Sequence, residues 1–439
     1  MTPHTRACIL STGDELITGQ LQDTNMRWLA SELTIMGISV VQCATVPDDL
    51  ETLTATMLRL TTCAPLLIVS GGLGPTEGDL TRHALAEAMS DQLVTDDAAQ
   101  RWLDEFLRSR GRNWNALQAR QTLRPSRARM LPNAVGTAPG LHGVVGEGVL
   151  GCDVFCLPGP PNELSAMWRA SVLPALRPPA DQTVRTRLLH VIGIGEADLA
   201  SKLGPMMART RLPLIGVTAS QGVLTLRLRY AGPGSRLDAD AAIDADVAAL
   251  SAQLGDNILG DGSLSTSELM IAALGRAGKT LAVAESCTGG LLGAMLTQVP
   301  GSSTSFSGGL IVYSNGLKTA LAGVPSELIA EHGAVSSQVA AALASGARER
   351  TAASYALAIT GIAGPDGGSV AKPVGTVYIG LAGGATEPEV RHFRFSGTRE
   401  DVRARAAGSA LAMLHFELRQ TNPRPKLLWQ QGDAQTAAC

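Results

Sequence analysis

The sequence predicts a multidomain α/β protein, and three observations lead to that prediction. The chain has 439 residues, which is too many for one ordinary hydrophobic core. Hydrophobic residues make up 45% of it and charged residues 17%, so several cores can be filled and a long disordered chain is excluded. Short apolar strands alternate with helices across short connections, a pattern typical of parallel βαβ units.

The first 175 residues are predicted to form a doubly wound domain, because strand and helix patterns alternate from the start of the chain. A further strand runs into a Gly/Pro turn at residues 153–164. In such sheets ligands bind beyond the carboxyl ends of the strands. The first strands and helices are predicted at residues 6–11, 23–37, 38–46, 47–60 and 65–70.

Two further domains are predicted after a proline-rich linker at residues 173–183. Residues 184–258 read as a small α+β domain, and residues 265–418 as a second α/β domain. A Ser-x-x-Glu capping box at Ser265 opens the latter. Residues 419–439 are predicted to be a frayed tail. The strands of the last domain are predicted at residues 280–284, 308–314, 355–360 and 375–383, before a helix near 400–418.

Charge and cysteine content exclude several functional classes. A formal net charge of −3 and a pI near 6.2 leave no basic surface for broad nucleic-acid or membrane binding. No apolar run reaches the roughly 18–20 residues that cross a bilayer, and the amino terminus lacks a signal-peptide pattern, so we expect a cytoplasmic protein. Seven cysteines without a CxxC pair argue against a disulfide framework or a zinc cluster.

Ser286 is a candidate nucleophile, because it lies where a predicted strand turns through two glycines into a helix. Backbone N–H groups and a positive helix end near a hydroxyl can stabilise an oxyanion. The alternative is that Ser286 only caps the helix. The adjacent Cys287 competes as nucleophile, but a nucleophilic cysteine normally needs a histidine partner, and the neighbouring motifs contain none.

Lys318 is the candidate base for this serine. Only five of the 36 basic residues are lysine, and lysine, unlike arginine, can lose its proton when it is desolvated. Tyr313 is a second candidate proton carrier, and Arg399 is a candidate clamp for a phosphate or carboxylate. The alternatives are an ordinary surface lysine and an ordinary strand aromatic. A glycine loop after Thr360 lets the backbone approach a ligand closely.

Five motifs follow one another in this domain: AESCTGGLLGAMLTQVPGSS (284–303), GGLIVYSNGLK (308–318), HGAVSS (332–337), TGIAGPDGGS (360–369) and KPVGTVY (372–378). Together they resemble the CinA-type nicotinamide-nucleotide amidohydrolase domain. The resemblance implies deamidation of nicotinamide mononucleotide to nicotinic acid mononucleotide and ammonia, with no cofactor, by a homodimer.

The same resemblance implies a role for individual residues. Ser286 matches the family's proposed nucleophile, and Lys318 matches its proton-transfer partner. Backbone N–H groups near Gly289 and Gly290 are expected to hold the oxyanion. The positions that match residues around the ligand are Thr288, Tyr313, Asn315, Thr360, Gly361 and Arg399.

The amino-terminal motifs at residues 11–25 and 70–82 resemble the molybdopterin-binding-like domain that opens CinA-family proteins, and residues 193–199 resemble the family's connecting domain. The resemblance implies an ADP-ribose pyrophosphatase with a divalent metal ion. The phosphates would lie against Gly71, Gly72, Gly74 and Thr76, and the metal against Asp14, Glu15 and Asp79.

Relatives commonly carry two adjacent acids where this chain has Gly78 and Asp79. The alternative for the acids is structural: Asp14 caps a turn and Asp79 caps the next helix. Two other functions stay open as well. The first is that of a non-catalytic regulatory protein linked to competence or DNA damage. The second is binding of a pterin or nucleotide by the first domain without cleavage. The absence of a basic stripe argues against direct nucleic-acid binding.

Overall fold

The computed structural model describes residues 2–111, 114–148, 151–180, 182–220, 222–383 and 387–431. It divides into two compact units, one of residues 1–185 with 231–236 and the other of residues 186–230 with 237–439. Linker residue 181 and tail residues 432–439 lie outside the described residues. Within those described ranges, no helix is both long and apolar enough to cross a membrane.

The amino-terminal domain alternates strands and helices, as the sequence predicts. Its strands are β1 (Arg6–Thr12), β2 (Ser39–Val46), β3 (Leu66–Ser70), β4 (Leu93–Thr95), β5 (Leu123–Pro125), β6 (Arg129–Leu131), β7 (Gly140–Val145) and β8 (Cys152–Leu157). Its helices are α1 (Asp14–Ile17), α2 (Thr24–Ile35), α3 (Leu50–Thr61), α4 (Thr81–Ala88), α5 (Asp97–Ser109) and α6 (Pro161–Met167).

These strands form one six-stranded sheet in the order β2-β1-β3-β8-β7-β6, and β4 and β5 pair separately. The first four strands are parallel, and β7 and β6 continue the sheet antiparallel. Apolar cores cover both faces: Leu53 and Met57 of α3 pack on one face, and Leu29 and Leu33 of α2 pack on the other. The central strands are therefore buried along their length, as expected for a doubly wound domain.

A small α+β domain follows. It contains β9 (Thr183–Ile192), α7 (Glu196–Leu203), β10 (Leu214–Ser220), β11 (Val223–Gly232), α8 (Arg236–Leu254) and β12 (Ile258–Asp261). The sheet order is β10-β11-β9-β12, and the apolar core contains side chains from both helices, including Leu199 and Leu250. This arrangement agrees with the α+β domain predicted from the sequence.

The carboxyl-terminal domain is a second α/β domain. Its strands are β13 (Leu281–Glu285), β14 (Phe306–Ile311), β15 (Tyr355–Gly361), β16 (Thr376–Gly383) and β17 (Glu389–Arg394). Its helices are α9 (Thr266–Ala277), α10 (Leu291–Thr297), α11 (Asn315–Ala322), α12 (Ser326–His332), α13 (Ser337–Thr351) and α14 (Arg399–Leu418).

The sheet order β14-β13-β15-β16-β17 sets the position of the candidate site. The strands β14, β13 and β15 are parallel, whereas β16 and β17 run antiparallel. The carboxyl ends of the three parallel strands therefore lie side by side at one edge of the sheet. Ser286 follows β13, Tyr313 follows β14, and Thr360 lies at the end of β15.

The prediction of a frayed tail is wrong for residues 419–431. Leu427 is only 4% exposed and belongs to the core of the last domain. Trp429 packs edge-on against Phe395, with 5.7 Å between the ring centroids, and its carbonyl accepts a hydrogen bond from the N–H of Arg394. Proline, glycine and polar residues around these two apolar side chains make the sequence look unstructured, although tertiary contacts hold it on β17.

Candidate active site

Ser286 lies at the end of β13 in a loop that its neighbours hold in place. Its side chain is buried, and its N–H donates to the carbonyl of Ile359 in β15 at 3.0 Å. Gly289 and Gly290 have φ values of 58° and 93°, a left-handed conformation that glycine adopts at little cost. Helix α10 begins only at Leu291 with Gly290 as its N-cap, so the alternative that Ser286 caps this helix is wrong.

The expected oxyanion donors need a correction. The N–H of Gly289 donates to the carbonyl of Ser286 at 3.1 Å, and the N–H of Gly290 donates to the carboxylate of Glu285 at 3.1 Å. Within the described part of the chain, the N–H groups of Cys287 and Thr288 reach no oxygen acceptor. The hydroxyl of Thr288 is also buried, with no hydrogen-bond partner among the residues that the structure describes. The donors open to a ligand oxygen therefore lie one or two residues after Ser286.

Glu285 is the last residue of β13, and its carboxylate binds the start of α10. It accepts hydrogen bonds from the N–H groups of Gly290, Leu292 and Gly293 at 3.1, 3.0 and 2.7 Å. The residue is 1% exposed. Because the first N–H groups of a helix have no partner inside the helix, this carboxylate supplies acceptors that the helix itself lacks.

Lys318 is buried, so the alternative of a surface lysine is wrong. The residue is 2% exposed, and its Nζ donates to the carbonyls of Val312 and Tyr313 at 3.0 and 3.3 Å. No carboxylate lies within ion-pair distance of it among the residues that the structure describes. Burial lowers the pKa of the ammonium group from its usual 10.5, against a smaller opposing effect of nearby Cys287.

Two hydrogen bonds through Val312 connect this lysine to Glu285, which directly precedes Ser286. The N–H of Val312 donates to the carbonyl of Glu285 at 2.8 Å, and the carbonyl of Val312 accepts from Lys318 Nζ. The lysine is thus anchored on the residue that pairs with the end of β13.

Burial raises the pKa of the Cys287 thiol to about 12, so this thiol is protonated near neutral pH and is a poor nucleophile.

Two arginines of α14 bind groups around the loop. Arg399 donates to the hydroxyl of Tyr313 at 2.9 Å and to the carbonyl of Gly364 at 2.6 Å. Arg403 donates to the carbonyl of Thr288 through Nε at 3.2 Å and Nη2 at 2.7 Å. Tyr313 is 59% exposed and follows β14, so it is not an ordinary strand aromatic.

The other predicted ligand residues differ in their surroundings. Thr360 is buried, and its hydroxyl donates to the carbonyl of Ala334 at 2.7 Å. Gly361 ends β15, where a Cβ atom would lie 2.6 Å from the side chain of Val377. Asn315 is exposed in the first turn of α11, and its side chain makes no hydrogen bond within the described ranges of the chain. Hydrogen bonds through the backbone of Val312 connect Lys318 to the end of β13, whereas no side-chain hydrogen bond connects Asn315 to the site within the described ranges.

A cleft of about 960 Å³ lies beside this cluster in the same compact unit. Arg399 and Arg403 line it together with an apolar stripe of α10 and the turn that follows it, whereas Ser286, Lys318 and Tyr313 do not. The stripe consists of Leu291, Met295 and Val299. The volume is large enough for a nucleotide, but the reacting groups lie outside it.

The glycine loop of the amino-terminal domain begins at the end of β3 and packs closely on β1. A Cβ atom on Gly71 would lie 2.5 Å from the carbonyl of Thr12. The N–H of Gly71 donates to Leu157, and Thr81 donates to the carbonyls of Gly71 and Gly72. A cavity of about 360 Å³ opens at this edge, with Gly71 and Thr12 in its lining.

Asp79 holds the loop together rather than capping α4, so the capping alternative is wrong. Its carboxylate accepts from the N–H of Gly74 at 2.6 Å, from the N–H of Thr76 at 2.7 Å and from the Thr76 hydroxyl at 2.5 Å. The N-cap position of α4 is Leu80. The donors of Gly74 and Thr76 are therefore occupied and do not point freely at a phosphate.

The acids of this domain do not form a ready metal site. Across the described ranges, no three His, Cys, Asp or Glu side chains are arranged to hold a metal ion. Asp79 is committed to its loop, and Asp14 accepts a hydrogen bond from the N–H of Asp48 at 3.2 Å. Burial raises the pKa of Asp48, and the nearby charges of Asp14 and Glu15 add to that rise. The expected set of Asp14, Glu15 and Asp79 thus does not fit a divalent metal in this arrangement.

Comparison with known proteins settles the family. Residues 264–418 match the model of the CinA C-terminal domain, residues 8–178 that of a probable molybdopterin binding domain, and residues 186–260 that of the damage-inducible protein CinA KH domain. A CinA-like protein of Geobacter sulfurreducens is 41% identical over 413 residues, which cover 93% of this chain and 98% of the relative. The chain belongs to the CinA-like family.

A second CinA-like relative agrees with this assignment. A relative from Synechococcus sp. is 40% identical over 415 residues, covering 93% of this chain and 96% of that protein. The crystal structure of a competence/damage inducible protein from Agrobacterium tumefaciens is 36% identical, covers 36% of this chain and 98% of its own, and has a TM-score of 0.34.

Sequence reasoning missed several residues of this CinA-like chain. Glu285 is the only charged residue of β13 and directly precedes Ser286, which was an available signal. Arg403 lies one helical turn after Arg399 on α14, a spacing that places both on one face. Asp48 follows β2 at the carboxyl edge, where the strand-end rule applied to the other strands would have found it.

Proposed function

We propose that this chain deamidates nicotinamide mononucleotide to nicotinic acid mononucleotide and ammonia. The observation that carries the proposal is the buried Lys318 without a carboxylate partner, anchored beside the loop of Ser286. The substrate follows from the resemblance of the motifs around these two residues, whereas the family assignment by itself names no substrate.

The proposed reaction uses Ser286 as nucleophile and neutral Lys318 as base. The Oγ of Ser286 attacks the carboxamide carbon while Lys318 accepts the hydroxyl proton. The oxyanion lies against the N–H groups of Cys287 and Thr288, which are open in the structure. Lys318 returns the proton to the departing ammonia, and water then hydrolyses the ester with Lys318 again as base.

Two features of the site support this assignment of roles. The lowered pKa of Lys318 increases its neutral fraction, which a proton acceptor requires. Arg399 keeps a guanidinium beside Tyr313 with no ion-pair partner in the described residues, so it can bind the substrate phosphate. Tyr313 then acts as a hydrogen-bond donor at the edge of the site.

The test is product analysis with the purified full-length protein in the presence of a metal chelator. We expect ammonia and nicotinic acid mononucleotide in equal amounts from nicotinamide mononucleotide, and no ammonia from free nicotinamide, which lacks the phosphate. Calorimetric binding of the nucleotide without any ammonia release would contradict the amidohydrolase and favour the non-catalytic regulatory alternative. The homodimer expected from the resemblance stays a prediction, which light scattering on the same sample measures.

For the amino-terminal domain we propose binding of ADP-ribose. The cavity at the carboxyl ends of β1, β3 and β8 supports it, with Asn25 donating to the hydroxyl of Ser70 and the carbonyl of Gly159 along its wall. Metal-dependent cleavage of ADP-ribose stays a prediction, because the acids do not form a three-ligand site. Titration of ADP-ribose with and without Mg²⁺ tests the proposal, and equal binding of a pterin would contradict it.

A further inference from the structure

The loop that carries Ser286 is held by two side chains that do not reach its hydroxyl. Glu285 binds three N–H groups after the loop, and Arg403 binds the carbonyl of Thr288 inside it. Both contacts join the loop to helices, which are rigid compared with a glycine-containing turn. The position of the open N–H groups of Cys287 and Thr288 therefore depends on these two side chains.

The carboxylate of Glu285 also limits which backbone N–H groups of the loop and of α10 can bind an anion. The start of a helix is an anion-binding position, and here the carboxylate already occupies it. Burying a carboxylate is costly unless its oxygens are satisfied, and in this site three backbone N–H groups satisfy them. No cation lies within ion-pair distance of Glu285 in the described ranges of the chain. The helix start is thus closed, and only the two earlier N–H groups stay open to an oxyanion.

Arg403 acts on the other side of the same loop. Its Nε and Nη2 both donate to the carbonyl of Thr288, which fixes the orientation of the peptide unit between Thr288 and Gly289. The N–H of Gly289 donates to the carbonyl of Ser286, and the N–H of Leu291 donates to the carbonyl of Thr288 at 3.3 Å, so Arg403 adds to two backbone hydrogen bonds that already hold this peptide unit. The preceding peptide unit, which carries the open N–H of Thr288, is joined to this one through Thr288, whose side chain is buried.

We infer that Glu285 and Arg403 are positioning residues that set the oxyanion donors at Cys287 and Thr288. The inference rests on the proposed amidohydrolase function. An oxyanion hole works because its donors are fixed before the charge develops, and a displacement of about 1 Å can cost on the order of 10²-fold in rate. Loss of either contact should therefore lower kcat without weakening binding of the ground-state substrate.

The test uses two substitutions in the full-length protein, each with a matched control. Glu285→Gln removes the charge and turns an NH₂ group toward backbone donors, and Glu268→Gln removes a similar carboxylate that accepts from Ser265 at the start of α9. Arg403→Lys removes the double contact, and Arg405→Lys alters the neighbouring arginine of α14. We expect kcat to fall about 10²-fold for Glu285→Gln and about 10-fold for Arg403→Lys, with KM unchanged.

The binding affinity of a boronic acid is a second readout, which would not change if Glu285 and Arg403 only stabilised the fold. The analogue of nicotinamide mononucleotide that carries a boronic acid in place of the carboxamide keeps the ribose phosphate: the Oγ of Ser286 forms a bond to boron, its proton passes to Lys318, and a boron hydroxyl of the anionic adduct takes the oxyanion position. We expect its affinity to fall in parallel with kcat in Glu285→Gln and Arg403→Lys, while calorimetric binding of nicotinamide mononucleotide and the melting temperature stay near those of the controls.

The outcomes separate this inference from the proposed function. If the wild type binds the boronic acid but releases no ammonia, the proposed function fails, and the boronate affinities of the variants still test the positioning roles. If both variants keep wild-type kcat and boronate affinity, or lose substrate binding in parallel with kcat, the inference is overturned. If Glu285→Gln does not fold, Arg403→Lys alone decides. A wild type that neither binds the boronic acid nor releases ammonia overturns both.

Discussion

At the scale of single residues, Lys318 carries the largest consequence. It is nearly fully buried, and two backbone carbonyls hold its ammonium group. A lysine that only pairs with charge would tolerate arginine, whereas a proton acceptor would not, because guanidinium does not release its proton. The substitution Lys318→Arg therefore separates the two roles.

We expect Lys318→Arg to lower kcat by about 10²–10⁴-fold, the usual contribution of general acid–base catalysis. Binding of the nucleotide, measured by calorimetry, should persist. Lys279→Arg, at an exposed lysine of the same domain, is the control and should leave turnover unchanged. Near-normal turnover of Lys318→Arg would remove this lysine from proton transfer and point to Tyr313.

The lowered pKa of Lys318 also gives a pH dependence. If the neutral amine is the base, kcat/KM should rise with pH and level off below the usual lysine pKa of 10.5. The same shift affects stability: between the two pKa values the unfolded chain binds more protons, so the free energy of unfolding should rise with pH up to about 10.5. A pH–rate profile without such a rise would contradict the role.

At the scale of elements, the order of strands and helices was largely predictable, because period and strand-end glycines are local features. Ser286 and Lys318 are candidates on equally local signals, a strand end with glycines and a rare lysine after a strand, and their roles stay predictions. The side chains that hold the two loops were not predictable, because their partners lie far along the chain. Arg403 contacts a carbonyl 115 residues earlier, and Asp48 contacts Asp14 across 34 residues. The tail was missed because its order depends on β17 and not on its own composition.

Because the tail packs on the core, we expect two leucine substitutions in this domain to lower the free energy of unfolding by different amounts. Leu427→Ala should lower the free energy of unfolding by about 2–5 kcal/mol, because Leu427 is 4% exposed in the core. Leu321→Ala is the control and should change it by about 0.5 kcal/mol or less, because that side chain is 40% exposed. Urea denaturation measures both, and equal effects would mean that the tail does not pack in solution.

At the scale of the whole molecule, the two candidate sites belong to different domains and use different residues. Asp79 braces only the glycine loop of the first domain through three hydrogen bonds. We expect Asp79→Ala to weaken ADP-ribose binding by at least about 10-fold, which corresponds to about 1.4 kcal/mol of binding free energy. The loss of three hydrogen bonds to a charged carboxylate exceeds that free energy. Deamidation should continue at the wild-type rate.

Asp91→Ala is the matched control for this experiment. Asp91 accepts hydrogen bonds from Ser126 and from the N–H of Arg127 in the same domain, away from the glycine loop. It should leave ADP-ribose binding unchanged. If Asp79→Ala abolishes deamidation in a folded protein, the view of two separate sites is wrong.

The most direct test of Ser286 as the nucleophile compares the wild type with Ser286→Ala and Cys287→Ala. The measurement is ammonia release from nicotinamide mononucleotide. Alanine keeps the backbone N–H at either position and removes only the side-chain nucleophile. We expect turnover for the wild type and Cys287→Ala and only background release for Ser286→Ala. Turnover by Ser286→Ala at the wild-type rate, or its loss in Cys287→Ala alone, would contradict a serine amidohydrolase.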